Sequence, residues 1–282
     1  MAKIAVVGIC GNSIFMHTDH FHKPGETLSA ESVFEEIGGK GINQAIACAR
    51  MGADVSFLAA VGEDDHAKSC MAVAQANHIK GCFPKKQGER TTFAFILTDK
   101  NGENQVTVYK GAQLSCEDVL NFENEIATSD ILLLQHEVPE EVNLLAAKIA
   151  NKYHVKVILN PAPIRMVSVE MARLLYAVTP NEHEQQAVNT LKCANKVTTL
   201  GEKGCMINET IFLPSMKSAA VDTTGAGDTF NGVMAACVAE GMNLTEACKY
   251  AVIASGISVS RKHVLDAIPY REEIERRLRE YE

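Results

Sequence analysis

Residues 131–159 read ILLLQHEVPEEVNLLAAKIANKYHVKVIL. The stretch opens on an apolar run, Ile131 to Leu134, and closes on another, Val155 to Leu159. Between them, Pro139 to Tyr153 carries apolar residues at helical spacing. Two apolar strands joined by an amphipathic helix form a βαβ unit, because parallel neighbours need a crossover connection. Toward the N-terminus, Ile4 to Val7 reads as a strand ending in a glycine-bearing turn, Gly8 to Ser13. Gly38-Gly39-Lys40-Gly41 opens a helix through Met51, with Gly52 as its stop and a strand from Val55 to Val61 beyond it. Further helices are predicted over Asp64 to Asn77 and Ser115 to Asn124. Toward the C-terminus come short strands at Ala177 to Thr179 and Val197 to Leu200, then a hairpin around Asn208-Glu209. Three helices close the chain, over Gly227 to Glu240, Leu244 to Ser260 and Glu272 to Tyr281. This alternation predicts an α/β fold with a mostly parallel sheet covered on both faces, and ligands at the carboxyl ends of its strands.

Two stretches break the rhythm. His17 to Glu36 is polar and holds Pro24-Gly25-Glu26, while Thr91 to Thr98 and Gln105 to Tyr109 read as a hairpin turned by Asp99-Lys100-Asn101-Gly102. They predict a small β-sheet lid, over about 14–37 and 91–110, on one α/β domain spanning 1–282. His17, His20, His22 and Asp19 resemble a metal cluster in composition only. In a strand His20 and His22 share a face and His17 points away.

Composition agrees with a soluble enzyme. The 282 residues are 46% hydrophobic and 22% charged, too apolar for a disordered chain. Lys and Arg number 27 against 35 Asp and Glu, a net charge of −8. With no basic run, this balance disfavours nucleic acid or an anionic membrane as partner and leaves small molecules. No apolar run approaches the roughly eighteen residues of a membrane span. The 9 cysteines include no C-x-x-C pair, and several sit in apolar helical runs, as reduced thiols of a cytoplasmic protein do.

The sharpest motif is Asp222-Thr223-Thr224-Gly225-Ala226-Gly227-Asp228-Thr229-Phe230, at the start of an apolar helix. Small residues let successive N–H groups face an anion, and the helix N-terminus adds positive potential. Asp228 would stand in the first turn, placed to accept the proton of a hydroxyl attacking a phosphoryl group. The competing reading is an ordinary capping box. A second motif, Gly38-Gly39-Lys40-Gly41-Ile42-Asn43-Gln44-Ala45, lacks the order of a Walker A loop. Its glycines would let backbone approach a polyhydroxyl ligand, with Asn43 as donor and acceptor. A flexible hinge before a helix competes with that reading.

Together and in this order, the two motifs resemble the signatures of the PfkB carbohydrate kinases, also called ribokinase-like kinases. Pro24-Gly25-Glu26-Thr27, Asn160-Pro161-Ala162-Pro163, Thr179-Pro180-Asn181-Glu182 and Thr199-Leu200-Gly201 extend the resemblance, which runs from Val7-Gly8 to Ile268-Pro269 and is nearest to the ribokinase branch. It implies a ribokinase-like three-layer sandwich with a β lid, and ATP and Mg2+ as cofactors; the exposed edge of such a lid would favour pairing of two copies through it. By position, Asp228 matches the catalytic base, and Gly225, Ala226 and Gly227 the anion hole. Gly39, Lys40, Asn43 and Glu137 match sugar contacts. Asn181, Thr199, Gly201, Gly204 and Gly227 match the nucleotide side, and Glu184 of the N-x-x-E element matches a residue that organises magnesium through water.

Two departures qualify the implication. Gly11 and Ser13 stand where ribokinases carry an Asn and an Asp that grip the sugar, and a neutral Ser13 lacks the two acceptor oxygens of a carboxylate. Asn12 would substitute if the turn were shifted by one residue. Asp222 and the Thr224 carbonyl match half of the family's K+ site, but His263 replaces a glycine in its late turn and is expected to obstruct the backbone there. The activity implied is ATP-dependent phosphorylation of a primary hydroxyl of a small sugar. A nucleoside kinase of the same fold and a catalytically silent sugar sensor are the alternatives.

Overall fold

The first strand of the chain lies in the middle of its main sheet. The computed structural model describes residues 1–188, 193–216 and 219–281. Its N-terminal half contains β1 (Lys3–Val7), β2 (Gly11–His17), β3 (Ser32–Gly38), α1 (Lys40–Arg50), β4 (Asp54–Leu58), α2 (Asp65–Ala76) and β5 (Lys80–Cys82). Next come β6 (Phe93–Thr98), β7 (Asn104–Tyr109), α3 (Cys116–Asn121), α4 (Glu123–Ala127), β8 (Ile131–Gln135), α5 (Glu140–Lys152) and β9 (Lys156–Asn160). The remainder is α6 (Val169–Leu174), β10 (Ala177–Val178), β11 (Val197–Thr199), β12 (Gly204–Ile207), β13 (Ile211–Pro214), α7 (Ala226–Ala239), α8 (Leu244–Ser258) and α9 (Arg271–Tyr281).

Six parallel strands form the central sheet in the order β10-β9-β8-β1-β4-β5. The 131–159 stretch is its β8-α5-β9 unit, with Gln135 directly beside Asn160 at the carboxyl ends. Strand alternation sorts side chains between two cores. Ile4, Val6, Ile131 and Leu133 pack under α1, α2, α7 and α8, whereas Ala5, Val7, Leu132 and Leu134 pack under α3 to α6. This three-layer arrangement leaves the carboxyl edge of the sheet as the place where loops and helix N-termini meet. Single bridges, Val178 to Lys196 and Asn181 to Thr199, attach the antiparallel β11-β12-β13 sheet beside β10.

The lid is a four-stranded sheet in the order β3-β2-β6-β7. The turn expected over Gly8 to Ser13 is shorter than its sequence suggests. Gly8 N–H is bound to the Leu58 carbonyl, and from Asn12 onward the chain already pairs with the Thr92 end of β6. Gly11 therefore starts a strand, and a side chain there would meet the Thr92 carbonyl at 2.3 Å. The expected helix from Ser115 divides into α3 and α4 at buried Phe122, while β5 and α6 are elements that the periodicity did not disclose. His20 lies between Asp19 and Glu26, 3.0 Å from each, and these carboxylates raise its pKa, Glu26 most. Among the described residues no group of three or more His, Cys, Asp or Glu gathers as a metal site. No described helix is long and apolar enough to cross a membrane.

Candidate active site

The 222–230 motif forms a turn and the first coil of α7. Gly225 takes the helix N-cap position at φ 74°, with no side chain capping the first turn. Asp222 does not cap the helix: its Oδ1 accepts the Thr224 N–H at 2.9 Å inside the preceding turn. The capping-box reading therefore fails; the Ala226 N–H turns back to the Thr223 carbonyl at 3.3 Å, and the Gly227 and Asp228 N–H groups keep their capacity for an anion. Gly225 has no room for a side chain, since a Cβ would lie 2.5 Å from Val264 Cγ1.

Asp228 is 5% exposed and faces α1. Its Oδ2 accepts from Asn43 Nδ2 and its Oδ1 from Gln44 Nε2, both at 3.0 Å. Asn43 Oδ1 has no partner among the described residues, so an acceptor is left over for a ligand hydroxyl. At the start of α1, the Lys40 N–H donates to Glu137 Oε2 at 2.7 Å. The Lys40 ammonium is held in its charged form first by Asp228, then by Glu137 and Glu184, against the opposing cost of burial. Burial pushes the Glu137 carboxyl up to about 7, with Lys40 pulling it down and Asp228 adding to the rise. Lys40, Asn43, Glu137, Glu184 and Asp228 thus converge from α1, the turn after β8, the segment after β10 and α7.

On the other side of Lys40, Glu184 takes hydrogen bonds from Asn181 N–H and Asn181 Nδ2, both at 3.0 Å. Asn181 Oδ1 in return accepts from His183 N and Glu184 N, a reciprocal lock that fixes both side chains. Each Glu184 oxygen retains a lone pair, and such hard oxygens suit a hydrated divalent cation that travels with phosphates better than an all-protein cage. Thr199 bridges Asn181, and Gly204, at φ 112°, lies where a Cβ would meet the Leu213 carbonyl at 2.0 Å. Gly201 is exposed with open space beside it, as a loop that flanks a ligand can be.

Gly11, Ser13, Glu36 and Gly38 share one face of the lid, since Gly11 pairs with Gly38 and Ser13 with Glu36. Asn12 points to the opposite face and donates to Glu35 Oε2 at 3.0 Å. It therefore does not replace Ser13, because a strand, unlike the expected turn, sends neighbouring side chains to opposite sides. Glu36 reaches the body of the molecule, where its Oε1 accepts from Val264 N at 3.1 Å. The late turn also departs from expectation. His263 does not obstruct the backbone: it adopts φ 69°, with its ring centroid 4.0 Å from that of Phe34 and the two planes tilted by 32°.

Sequence reasoning gave no role to a set of buried side chains behind Asp228, namely Gln44, Gln135, Asn160, Thr179 and Asn231. A legible signal existed. Three apolar strands, ILLLQ, KVILN and AVT, each end on a polar residue at the same edge.

The pfkB family carbohydrate kinase model matches residues 1–271. Over 294 residues the chain is 35% identical to the ribokinase of Haemophilus influenzae, covering 96% of each. Its fold superposes on the ribokinase of Thermotoga maritima with a TM-score of 0.90, at 35% identity, over 99% of this chain and 100% of that one. The ribokinase of Arabidopsis thaliana, solved with ribose and ATP, gives a TM-score of 0.86 at 28% identity over 98% of each chain. Fold and site together define an α/β phosphotransferase with an alcohol group as acceptor. The chain belongs to the pfkB family of carbohydrate kinases.

Proposed function

We propose that this chain transfers the γ-phosphoryl group of ATP to a primary hydroxyl of a small free sugar, with ribose the first candidate, since the similar enzymes are ribokinases. The observation that carries the reading is Asp228, a buried carboxylate in the first turn of an uncapped helix, beside Asn43, Lys40 and Glu137. The sugar hydroxyl donates its proton to Asp228 as its oxygen forms the new bond to the γ-phosphorus. The bond from that phosphorus to the β-bridging oxygen breaks, and ADP departs. Gly225, Ala226 and Gly227 amides receive the charge on the transferring oxygens. Lys40, Asn43 and Glu137 hold the remaining hydroxyls, with Gly11, Ser13 and Gly39 lining the sugar. Asn181, Thr199, Gly201 and Gly204 flank the nucleotide. Glu184 would hold a magnesium ion through its water, and the ion would supply positive charge against the phosphates.

The same reading extends to a monovalent cation beside Asp222 and the Thr224 carbonyl, with the left-handed His263 turn compatible in backbone shape. It also places the chain in a reducing cytoplasm, in keeping with six buried free thiols, and in a homodimer formed through the lid. No basic tract suggests a nucleic-acid or membrane partner.

The test is coupled ADP release across free sugars, phosphosugars and nucleosides, with K+ or Na+. Ribose or a close pentose should give the highest kcat/KM, and a nucleoside in that position would favour the nucleoside-kinase reading. Asp228→Asn should lower kcat by on the order of 10² to 10⁴ with sugar affinity nearly unchanged. Near-normal turnover in that variant would remove the base from Asp228.

A further inference from the structure

Behind the proposed base lies a chain of carboxamides whose orientations are mutually determined. Gln135 Nε2 donates to Gln44 Oε1 at 2.8 Å. Gln44 must then present its Nε2 to the other side, where it donates to Asp228 Oδ1 at 3.0 Å and to Asn160 Oδ1 at 3.2 Å. Asn160 in turn spends its Nδ2 on the Thr179 carbonyl at 3.2 Å, so its oxygen has to face Gln44. Thr179 Oγ1 donates to Asn231 Oδ1 at 2.5 Å, and Asn231 Nδ2 donates to the Gly227 carbonyl at 2.8 Å. The path therefore leaves α7 at Asp228 and returns to it one residue away. Gln44, Gln135 and Asn231 are fully buried, and Thr179 is 1% exposed, so water does not compete for these bonds.

We infer that Gln44 is a positioning residue for the phosphoryl transfer, acting through Asp228; the inference rests on reading Asp228 as the base. A carboxylate can rotate about its Cβ–Cγ bond. Here a donor on each oxygen, Asn43 on Oδ2 and Gln44 on Oδ1, holds its plane. The lone pairs still free are aimed in one direction, which sets the line along which the attacking hydroxyl approaches. Gln44 itself cannot turn over. A flipped amide would set Oε1 against Asp228 Oδ1 and Nε2 against Gln135 Nε2, two repulsive contacts in a site without water. The Asp228 carboxylate, which can only accept, thus fixes the polarity of the chain, and Gln135, which takes up Gln44 Oε1, stands beside Asn160 in the sheet register. The strand ends of β8 and β9 and the residue after β10 supply the frame, while α1 and α7 supply the groups it orients.

Gln44→Met keeps the shape and deletes both donors. Its kcat should fall on the order of 10- to 100-fold, with sugar KM changed by less than about threefold. In the Asp228→Asn background the same substitution should change residual turnover by less than about twofold, because the group it positions is already gone. Gln44→Glu supplies an independent pH readout. The protonated carboxyl can donate to Asp228 and the ionised one repels it, so this variant's kcat relative to the parent should rise as pH falls. Equal losses from Gln44→Met in both backgrounds overturn the inference, as does a flat pH ratio for Gln44→Glu. So does a kcat within about twofold of the parent while Asp228→Asn is inactive. Those results leave Asp228 as the base, whereas an active Asp228→Asn would remove the reading on which both rest.

Discussion

Glu137 places a titration in the proposed sugar site close to neutrality. Its ordinary value is 4.5, and burial raises it to about 7 despite the Lys40 ammonium and the Lys40 N–H. Neighbouring His136 does not titrate in the same range, since burial and then Arg165 push it down to about 4. Lys40 stays charged throughout. An acid limb in sugar kcat/KM with apparent pKa near 7 is therefore expected, as Glu137 gains a proton and stops accepting from a sugar hydroxyl. Glu137→Gln should raise sugar KM and erase that limb; a limb that survives the substitution belongs to another group. The sign for stability is opposite. A carboxyl whose folded pKa is raised favours the protonated fold, so its stabilisation is complete below pH 4.5 and is lost as pH rises through about 7. Urea unfolding at pH 5 and pH 8 should show a smaller difference for Glu137→Gln than for the parent.

At the scale of elements, the N-terminus of α7 is held from outside the helix. Val264 fills the space beside Gly225, the Val264 N–H is bound by Glu36 of β3, and the His263 ring packs at a tilt against Phe34 of the same strand. The lid strand, the late turn and the proposed anion hole are thereby in series. Gly225→Ala faces both a left-handed φ and the Val264 methyl, and should cost about 1–3 kcal/mol together with most of kcat. Adding Val264→Ala removes the collision and leaves the φ strain, so the pair should recover part of the lost stability in urea unfolding and not all of it. Equal stability of Gly225→Ala and the parent would show that neither constraint acts. The helix start itself was legible in Gly225-Ala226-Gly227, because small residues before an apolar run have few other uses. The contacts made by Asp222 and His263 were not. Both depend on backbone conformation in loops, where one residue type supports several geometries. The same holds for Gln44, Gln135 and Asn160, whose polarity is visible in sequence while their meeting is produced only by strand register.

For the whole molecule, the βαβ rhythm from 131 onward carried the architecture, since a strand buried on both faces must be apolar throughout. The lid was harder to read because its strands are amphipathic, mixed in direction and partly exposed. That exposure has a consequence. Val106 and Val108 are 59% and 52% exposed on β7, the outer strand of the sheet, and register places them on the face shared by Ser13, Ala94 and Glu36. Phe34 and Val33 on β3 and Phe95 on β6 add to the exposed apolar surface of the lid. An outer strand with unpaired backbone groups and a valine stripe is unstable as a solvent boundary, and a second lid can cover it without charge repulsion from the stripe itself. Sedimentation at micromolar concentration should find two copies of the chain. Val106→Lys with Val108→Lys should yield a single copy that remains folded, because the lysines face solvent in the isolated chain. Its sugar KM should rise more than its ATP KM, since Gly11 and Ser13 of the lid line the proposed sugar side and no lid residue is assigned to the proposed nucleotide side. A parent that sediments as one copy, or a double-lysine variant that still pairs, would place any association elsewhere.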